Sequence, residues 1–253
     1  MTTKDVAVSG GLRTNAESNE ASLNKEQFER NPESWEKKIE NFPKYVRRQN
    51  LTRFLALYEI FNRVLNIKGS VVECGVNHGF GLMSWAKFSA ILEPVNLTRR
   101  IYGFDSFEGF PSVSEADRSS HSGHVKEGDL AADVQEELES LTEIYDSTRF
   151  LGHVNKVQLV KGDATETIPK FIEDNPHVLV SLLFMDFDLY EPTKVALEHF
   201  LPRMPKGAII AFDELDNPLW PGETRAMLEA HAKRPLRLER LPFDPYIGFA
   251  VLD

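Results

Sequence analysis

The chain is poor in sulfur, in long apolar runs and in positive charge, and each shortage removes a class of function. Its single cysteine, Cys74, allows no internal disulfide and no multi-cysteine zinc site. No apolar run approaches the ~18–20 residues that a bilayer-spanning helix needs. The opening stretch, MTTKDVAVSGGLRTNAESNE, lacks the apolar segment of a secretory signal, so a cytoplasmic protein is expected. Asp and Glu number 39 against 29 Lys and Arg, a net charge of −10. A duplex-binding surface carries the opposite sign, which argues against nucleic acid as a partner. What remains is an ordinary globular composition, 42% hydrophobic and 27% charged over 253 residues. That length suits one large domain with decoration, or at most two small ones.

Residues 1 to about 30 are polar, with Gly10-Gly11 and scattered Ser, Asn and Glu, and read as a flexible tail. From Leu51 the pattern changes. Leu51, Phe54, Leu55, Tyr58, Phe61, Val64 and Leu65 recur at helical spacing. SVVECGV then reads as a strand, HGFGLMSWAKFSAILEP as a helix, and RRIYGFDSFEGFP as a strand with a turn. Residues 112–150 break the rhythm with a polar stretch and then a helix whose apolar stripe is Val134, Leu138, Leu141 and Tyr145. Such an insertion reads as a lid. Alternation resumes through KVQLVKGD, ATETIPKFIED, VLVSLLFMDFD, EPTKVALEHFLPRM, GAIIAFDE and ETRAMLEAHAK. The last two strands, LRLERLPF and YIGFAVLD, leave no room for a helix between them and are expected as an antiparallel hairpin. Strands alternating with helices argue a mostly parallel sheet covered on both faces. The organisation expected is an N-terminal arm with a short helix over 1–50, then one domain over 51–253.

Ligands of open α/β sheets bind at the carboxyl ends of the strands. Here those ends are acidic one after another: Glu73, Asp105, Asp163, then Asp186 with Asp188, then Asp213 with Glu214. The turn ECGVNHGFG carries Gly75, Gly79 and Gly81, and so admits close backbone approach. It lacks the G-x-G-x-x-G spacing of a pyrophosphate cradle, and no P-loop lysine follows. A ligand met by carboxylates should be neutral or cationic where it touches them. The sulfonium, ammonium and ribose diol of S-adenosylmethionine fit that demand. Asp213 follows Asp186 by 27 residues, one helix and one strand, which brings the two to neighbouring strand ends. A few carboxylate oxygens with open positions suit Mg²⁺. A metal on two vicinal hydroxyls of an acceptor would acidify one of them, and Asp188 could take its proton.

The stretches VVECGVNHGFG, IYGFDSFEGFP, VQLVKGDATETIP and FMDFDLYEPTKVALEHFLPRMPKGAIIAFDE resemble the class I methyltransferases, and more closely the macrocin O-methyltransferase family. The resemblance covers roughly residues 65–230, with GFDSFEGFP and MDFDLYEPT as its specific motifs. It implies a Rossmann-like, seven-stranded fold and transfer of a methyl group to a sugar hydroxyl in natural-product biosynthesis. It places Glu73 and Gly75 near the methionine part of the cofactor, Asp105 and Ser106 on the ribose, and Asp163 near the adenine, with Gly79 also among the cofactor-binding residues. Asp186 would touch both cofactor and metal, with Asp213 and Glu214 completing the Mg²⁺ ligands. Members of that family often carry two adjacent aspartates after the fifth strand. This chain has Phe212-Asp213-Glu214 instead, an altered set.

Several residues have plainer roles open to them. Asp188 could cap the helix starting near Glu191. Cys74 reads as a small buried side chain. His121 and His124 could reach the acceptor or simply face solvent, and Trp220-Pro221 could wall a sugar or only pack. Lys44, Arg47, Arg48 and Arg53 suit either a diphosphate or a solvated helix face. The acceptor is expected to be a deoxysugar, nucleotide-linked or on a natural product, and the enzyme a homo-oligomer. A catechol-like diol is the nearest rival acceptor. A nicotinamide-dependent sugar oxidoreductase would need the missing glycine spacing, and a non-catalytic cofactor-binding subunit would not need the acids of strands four and five.

Overall fold

A computed structural model of the chain describes residues 15–121 and 125–253. The described residues fall into two compact units, one reaching to Leu55 and the other running from Ala56 to Asp253. The first holds α1 (Asn15–Arg30), α2 (Trp35–Glu40) and a 3-10 turn at Phe42–Lys44, and α3 spans Arg48–Arg63. Residues 15–30 were expected within a flexible tail and instead form a helix. Polarity hid a run of good helix formers, Ala, Leu, Lys, Gln and Glu. Lys25 with Glu29 and Glu26 with Arg30 add ion pairs at i,i+4.

In the second unit the strands are β1 (Ser70–Cys74), β2 (Ile101–Asp105), β3 (Val157–Lys161), β4 (Val180–Met185), β5 (Ile209–Phe212), β6 (Glu239–Arg240) and β7 (Gly248–Val251). They form a 7-stranded sheet in the order β3-β2-β1-β4-β5-β7-β6. The first five are parallel, while β7 runs antiparallel to both β5 and β6. Between them lie α4 (Phe80–Leu92), α5 (Gln135–Thr148), α6 (Ala164–Asp174), α7 (Tyr190–Phe200) and α8 (Pro221–Lys233). This is the class I methyltransferase topology, with the expected terminal hairpin. The hairpin's first strand is shorter than LRLERLPF suggested, because Pro235 and Pro242 flank it and cannot donate to a ladder.

The central strands are buried on both faces, which is why their sequences run apolar instead of alternating. Leu183 and Met185 point into the larger core with Phe104, Ile168, Phe171, Ala196 and Phe200. Phe184, one residue between them, turns the other way onto Trp85 of α4, with ring centroids 5.7 Å apart. That two-residue period leaves only the strand tips free to carry chemistry.

The tips are level. Gly75 N donates to Phe104 O, Asp186 N to Cys74 O, Asp213 N to Met185 O and Gly162 N to Asp105 O, all within 3.0 Å. Parallel pairing thus carries one past the last β1 residue and delivers the acids of neighbouring strands to a common edge.

Candidate active site

The strand order reverses between β1 and β4, and there the two strand ends approach most closely. A Cβ on Gly75 would lie 2.0 Å from the Asp186 carbonyl oxygen, and its φ of +98° belongs to glycine's range. No other residue fits that crossing. A cavity of about 760 Å³, counting the space that opens to solvent, sits over this point. Gly75, Asn77, Asp105, Ser106, Asp163, Asp186 and Asp188 line it, with Phe110, Pro111, Leu130, Phe187, Leu189 and Pro192 as apolar wall. Apolar walls with a few convergent polar groups are the usual make-up of a small-molecule site.

The polar groups are held by their neighbours. Asp105 Oδ2 accepts from Val76 N at 2.8 Å and Asn77 N at 2.7 Å, while Oδ1 accepts from Phe107 N at 2.7 Å. One carboxylate therefore clamps the β1 loop and its own turn, leaving about one of its four acceptor positions for a ligand. Ser106 Oγ donates to Gly109 O and accepts from Glu108 N, so its proton is spent on the turn. Asp163 caps α6, its Oδ1 accepting from Thr165 N and Oγ1. Asp188 stands at φ +63°, a conformation costly for a residue with a Cβ. It is not at the cap position of α7, which Leu189 occupies. The Tyr190 N–H there is taken by Asp117 Oδ1 at 2.6 Å.

Asp117 belongs to the insertion after β2 and is buried. Its other oxygen accepts from Ser114 N and Oγ, a reciprocal cap on the turn Glu115–Asp117. Arg225 of α8 donates to Glu115 O and Ala116 O, and Ser119 Oγ donates to Pro218 O. Beneath these bonds Phe110, Val125, Leu189 and Trp220 form a small separate core. The insertion is thus fastened to the loops after β4 and β5. Trp220 packs edge-on against Phe110, with centroids 5.9 Å apart.

Residues 19–237 match the model of the Macrocin-O-methyltransferase (TylF) family. The chain belongs to the macrocin O-methyltransferase family. Among solved structures, the calicheamicin methyltransferase CalS11 is 34% identical, with a TM-score of 0.89 over 94% of this chain and 93% of that one. A second, apo structure, described as a TDP-rhamnose 3'-O-methyltransferase of calicheamicin biosynthesis, is 32% identical with a TM-score of 0.81 over 94% and 95%. A tetracenomycin 4'-O-methyltransferase of Streptomyces olivaceus that acts on a dimethoxyrhamnosyl compound is 30% identical over 155 residues, 58% of this chain. The match spans about half, 53%, of that relative's length. NovP, an O-methyltransferase at 22% identity and a TM-score of 0.60 over 80% of each chain, shares the fold.

Against this family background the expected site residues divide. Gly75, Asp105, Ser106, Asp163, Asp186 and Asp188 meet at the cavity; Glu73 and Gly79 are not among its lining residues. Glu73 is 2% exposed and lies under the first turn of α4, where a Cβ on Gly81 would come within 1.9 Å of its Oε1. Gly79, at φ +81°, starts α4. His121 is exposed in the insertion, and His124 lies outside the described residues. Lys44, Arg47, Arg48 and Arg53 belong to the first unit.

Asp213 and Glu214, expected as metal ligands after β5, are likewise not among the lining residues of the cavity. Among the described residues no three His, Cys, Asp or Glu side chains stand ready to hold a metal ion. The charges of Asp188, Asp213 and Glu214 all bear on Glu223, a fourth and fully buried carboxylate. Its Oε1 accepts from Glu214 N at 2.9 Å, and its Oε2 has no hydrogen-bond partner. Sequence reasoning passed over Glu223 and Asp117. A first-turn helix acid and a loop acid are normally solvated, and only their neighbours Gly222 and Ser114 hinted otherwise.

Proposed function

We propose that this protein transfers a methyl group from S-adenosylmethionine to a hydroxyl of a deoxysugar, carried on a nucleotide or on a natural product, with Mg²⁺ assisting. The observation that carries the reading is the meeting of level, acidic strand ends over one cavity at the β1/β4 crossing, in a chain of this family. The relatives whose names specify a sugar act on rhamnose or a rhamnosyl compound, which favours a 6-deoxyhexose.

The cofactor supplies an electrophilic methyl carbon on a sulfonium and leaves as the thioether. The chain's part is to hold and to deprotonate. Gly75 lets the β1 loop pass close to Asp186, and Asp105 and Asp163 offer acceptors on the same side. Asp188 takes the acceptor hydroxyl's proton as its oxygen attacks, and its left-handed backbone fixes where that carboxylate stands. The apolar wall of Phe110, Pro111 and Leu189 excludes water from the line of transfer. Asp186, Asp213 and Glu214 would hold Mg²⁺, which when bound supplies positive charge to the hydroxyl being methylated.

A homo-oligomer remains part of the reading. Trp35, Ile39 and Phe42 of the first unit are exposed at 67, 54 and 46%, apolar surface suited to a partner copy. Light scattering of full-length protein against a variant lacking residues 1–30 tests it; a monomer at both would end it. The function itself is tested by offering nucleotide-linked 6-deoxyhexoses, rhamnosylated natural products and catechols with methyl-labelled cofactor. Label should enter the sugars, and label in catechols alone would overturn the acceptor class.

A further inference from the structure

We propose that Leu130 is a cofactor-binding residue, held out from the insertion so that its side chain closes over S-adenosylmethionine in the cavity. The inference rests on the cofactor reading above and adds to the strand tips a contact from the insertion. Its basis is a backbone conformation that the protein alone does not offset. Three non-glycine residues lining the cavity stand at positive φ: Asn77 at +48°, Leu130 at +59° and Asp188 at +63°. The short polar side chains of Asn and Asp tolerate the left-handed region, whereas a leucine there crowds its own backbone. Burial of the side chain could offset that cost. Yet Leu130 is 45% exposed, while Phe110 and Leu189 of the same wall are buried. Strained residues of this kind gather at ligand clamps, where the complex supplies what the free protein lacks.

The backbone on either side of Leu130 is fixed, so the conformation is imposed by its surroundings. Residues 126–129 close a turn, with Asp129 N donating to Lys126 O and Lys126 N to Asp129 Oδ2. That turn is bonded to the one after β2: Phe110 N donates to Asp129 O at 3.1 Å and Gly128 N to Phe110 O at 3.0 Å. The two backbones pass so closely that a Cβ on Gly109 would lie 2.5 Å from Asp129 O. Beyond Leu130, Ala132 is buried, and Leu138 of α5 lies against Gly79 at the start of α4.

The partner turn points to the ligand. Gly109 O accepts from Ser106 Oγ, and Asp105 and Ser106 head that turn as the residues expected on the ribose. Leu130 is therefore tied to the cofactor's carboxylate turn, in a cavity that it shares with residues 162–165 after β3. The adenosyl group presents a broad apolar face that such a side chain can cover, removing its own exposed surface from water as it does so.

A leucine kept for packing and one kept for a ligand predict opposite responses. Leu130→Asn suits the left-handed backbone and removes the apolar cover, whereas Leu130→Met keeps the apolar bulk. Full-length wild type and both variants are titrated calorimetrically with S-adenosylhomocysteine, and melted with and without it. Leu130→Asn should bind about tenfold more weakly than wild type (~1.4 kcal/mol). Without ligand it should melt no lower than wild type, and saturating S-adenosylhomocysteine should raise its melting temperature less. Leu130→Met should bind within about threefold of wild type. Wild-type affinity in Leu130→Asn overturns the assignment and leaves the cofactor reading standing. A lower melting temperature in ligand-free Leu130→Asn overturns it too, because packing within the protein then already offsets the conformation. Equal weakening in Leu130→Met and Leu130→Asn also overturns it, since the apolar cover is then not what binds. Absence of S-adenosylhomocysteine binding in the wild type overturns the cofactor reading along with this one.

Discussion

Replacing Asp105 by Asn changes one oxygen to a nitrogen and should break the cofactor loop. In the native chain three backbone amides, Val76, Asn77 and Phe107, donate to the two carboxylate oxygens at 2.7 to 2.8 Å. An Asn side chain offers a single acceptor oxygen, and its NH₂ group would face an amide donor. Hydrogen bonds to a charged group contribute ~1.5–3 kcal/mol each, and a buried donor left unpaired costs ~1–3. The Asn77 position is exposed and can be rehydrated, whereas Val76 and Phe107 are buried. The net loss is then about 2–4 kcal/mol. At roughly 2–4 °C per kcal/mol for a domain of this size, melting should fall by about 4–16 °C. Gly75 sits at the root of the loosened loop, so affinity for S-adenosylhomocysteine should also fall at least about tenfold (~1.4 kcal/mol). Calorimetric titration and differential scanning of Asp105→Asn read both quantities. A variant that melts and binds like the wild type would refute the reasoning and leave Asp105 a solvated loop acid.

Three further outcomes follow from the same geometry. Gly75→Ala must place a Cβ 2.0 Å from the Asp186 carbonyl at a φ of +98°, so it should cost more than about 3 kcal/mol or abolish cofactor binding, as chemical denaturation and titration would show. Arg99→Met removes a buried guanidinium that donates to Gly69 O, Val64 O, Leu65 O, Ile67 O and Ser181 Oγ and pairs with Glu93 at 2.8 Å. Because the nearly buried Glu93 loses its charged partner and keeps only the Ser89 and Asn96 hydrogen bonds, and five acceptors lose a donor, ~3–5 kcal/mol of stability should go, measurable in urea; a loss under about 1 kcal/mol would contradict this. Lys156, whose Nζ donates to Asn96 O, has its pKa pushed down to about 8 from 10.5, chiefly by burial and against the pull of Glu93. The unfolded chain therefore binds this proton more tightly than the folded one, and wild-type stability relative to Lys156→Met should rise as pH climbs from about 8 towards 10.5. A difference that is flat across that window would remove the desolvation argument.

The strands were legible because burial on both faces of the central ones leaves unbroken apolar runs, and several of the acids because a run stops directly at them. β4 shows this most plainly, with VSLLFM ending at Asp186. Less legible was what each acid does once there. Asp105 reads as a ribose ligand, yet three amides converge on it, and those donors lie 29 and 28 residues before it and two after. Glu73 reads as one more strand-end acid, but its position in β1 turns it under Gly81. A two-residue period assigns a face and cannot report which helix turn covers that face. The helix at Asn15–Arg30 was missed for another reason: a mean apolar content sets burial, while helix formation here depends on backbone propensity and i,i+4 pairs. Asp117 and Glu223 were invisible because their burial arises only when the insertion, α7 and α8 meet.

The measurement that bears most directly on the proposed function is methyl transfer to a nucleotide-linked 6-deoxyhexose by wild type, Asp186→Asn and Asp213→Asn, each with chelator and with Mg²⁺ restored. The wild type should lose activity in chelator and regain it with Mg²⁺. Each variant should be slower by roughly a hundredfold, ~3 kcal/mol, chiefly in turnover, with cofactor affinity changed much less. A wild type fully active in chelator, or variants that lose only melting temperature, would contradict the assignment of these strand-tip acids to a cation-assisted transfer.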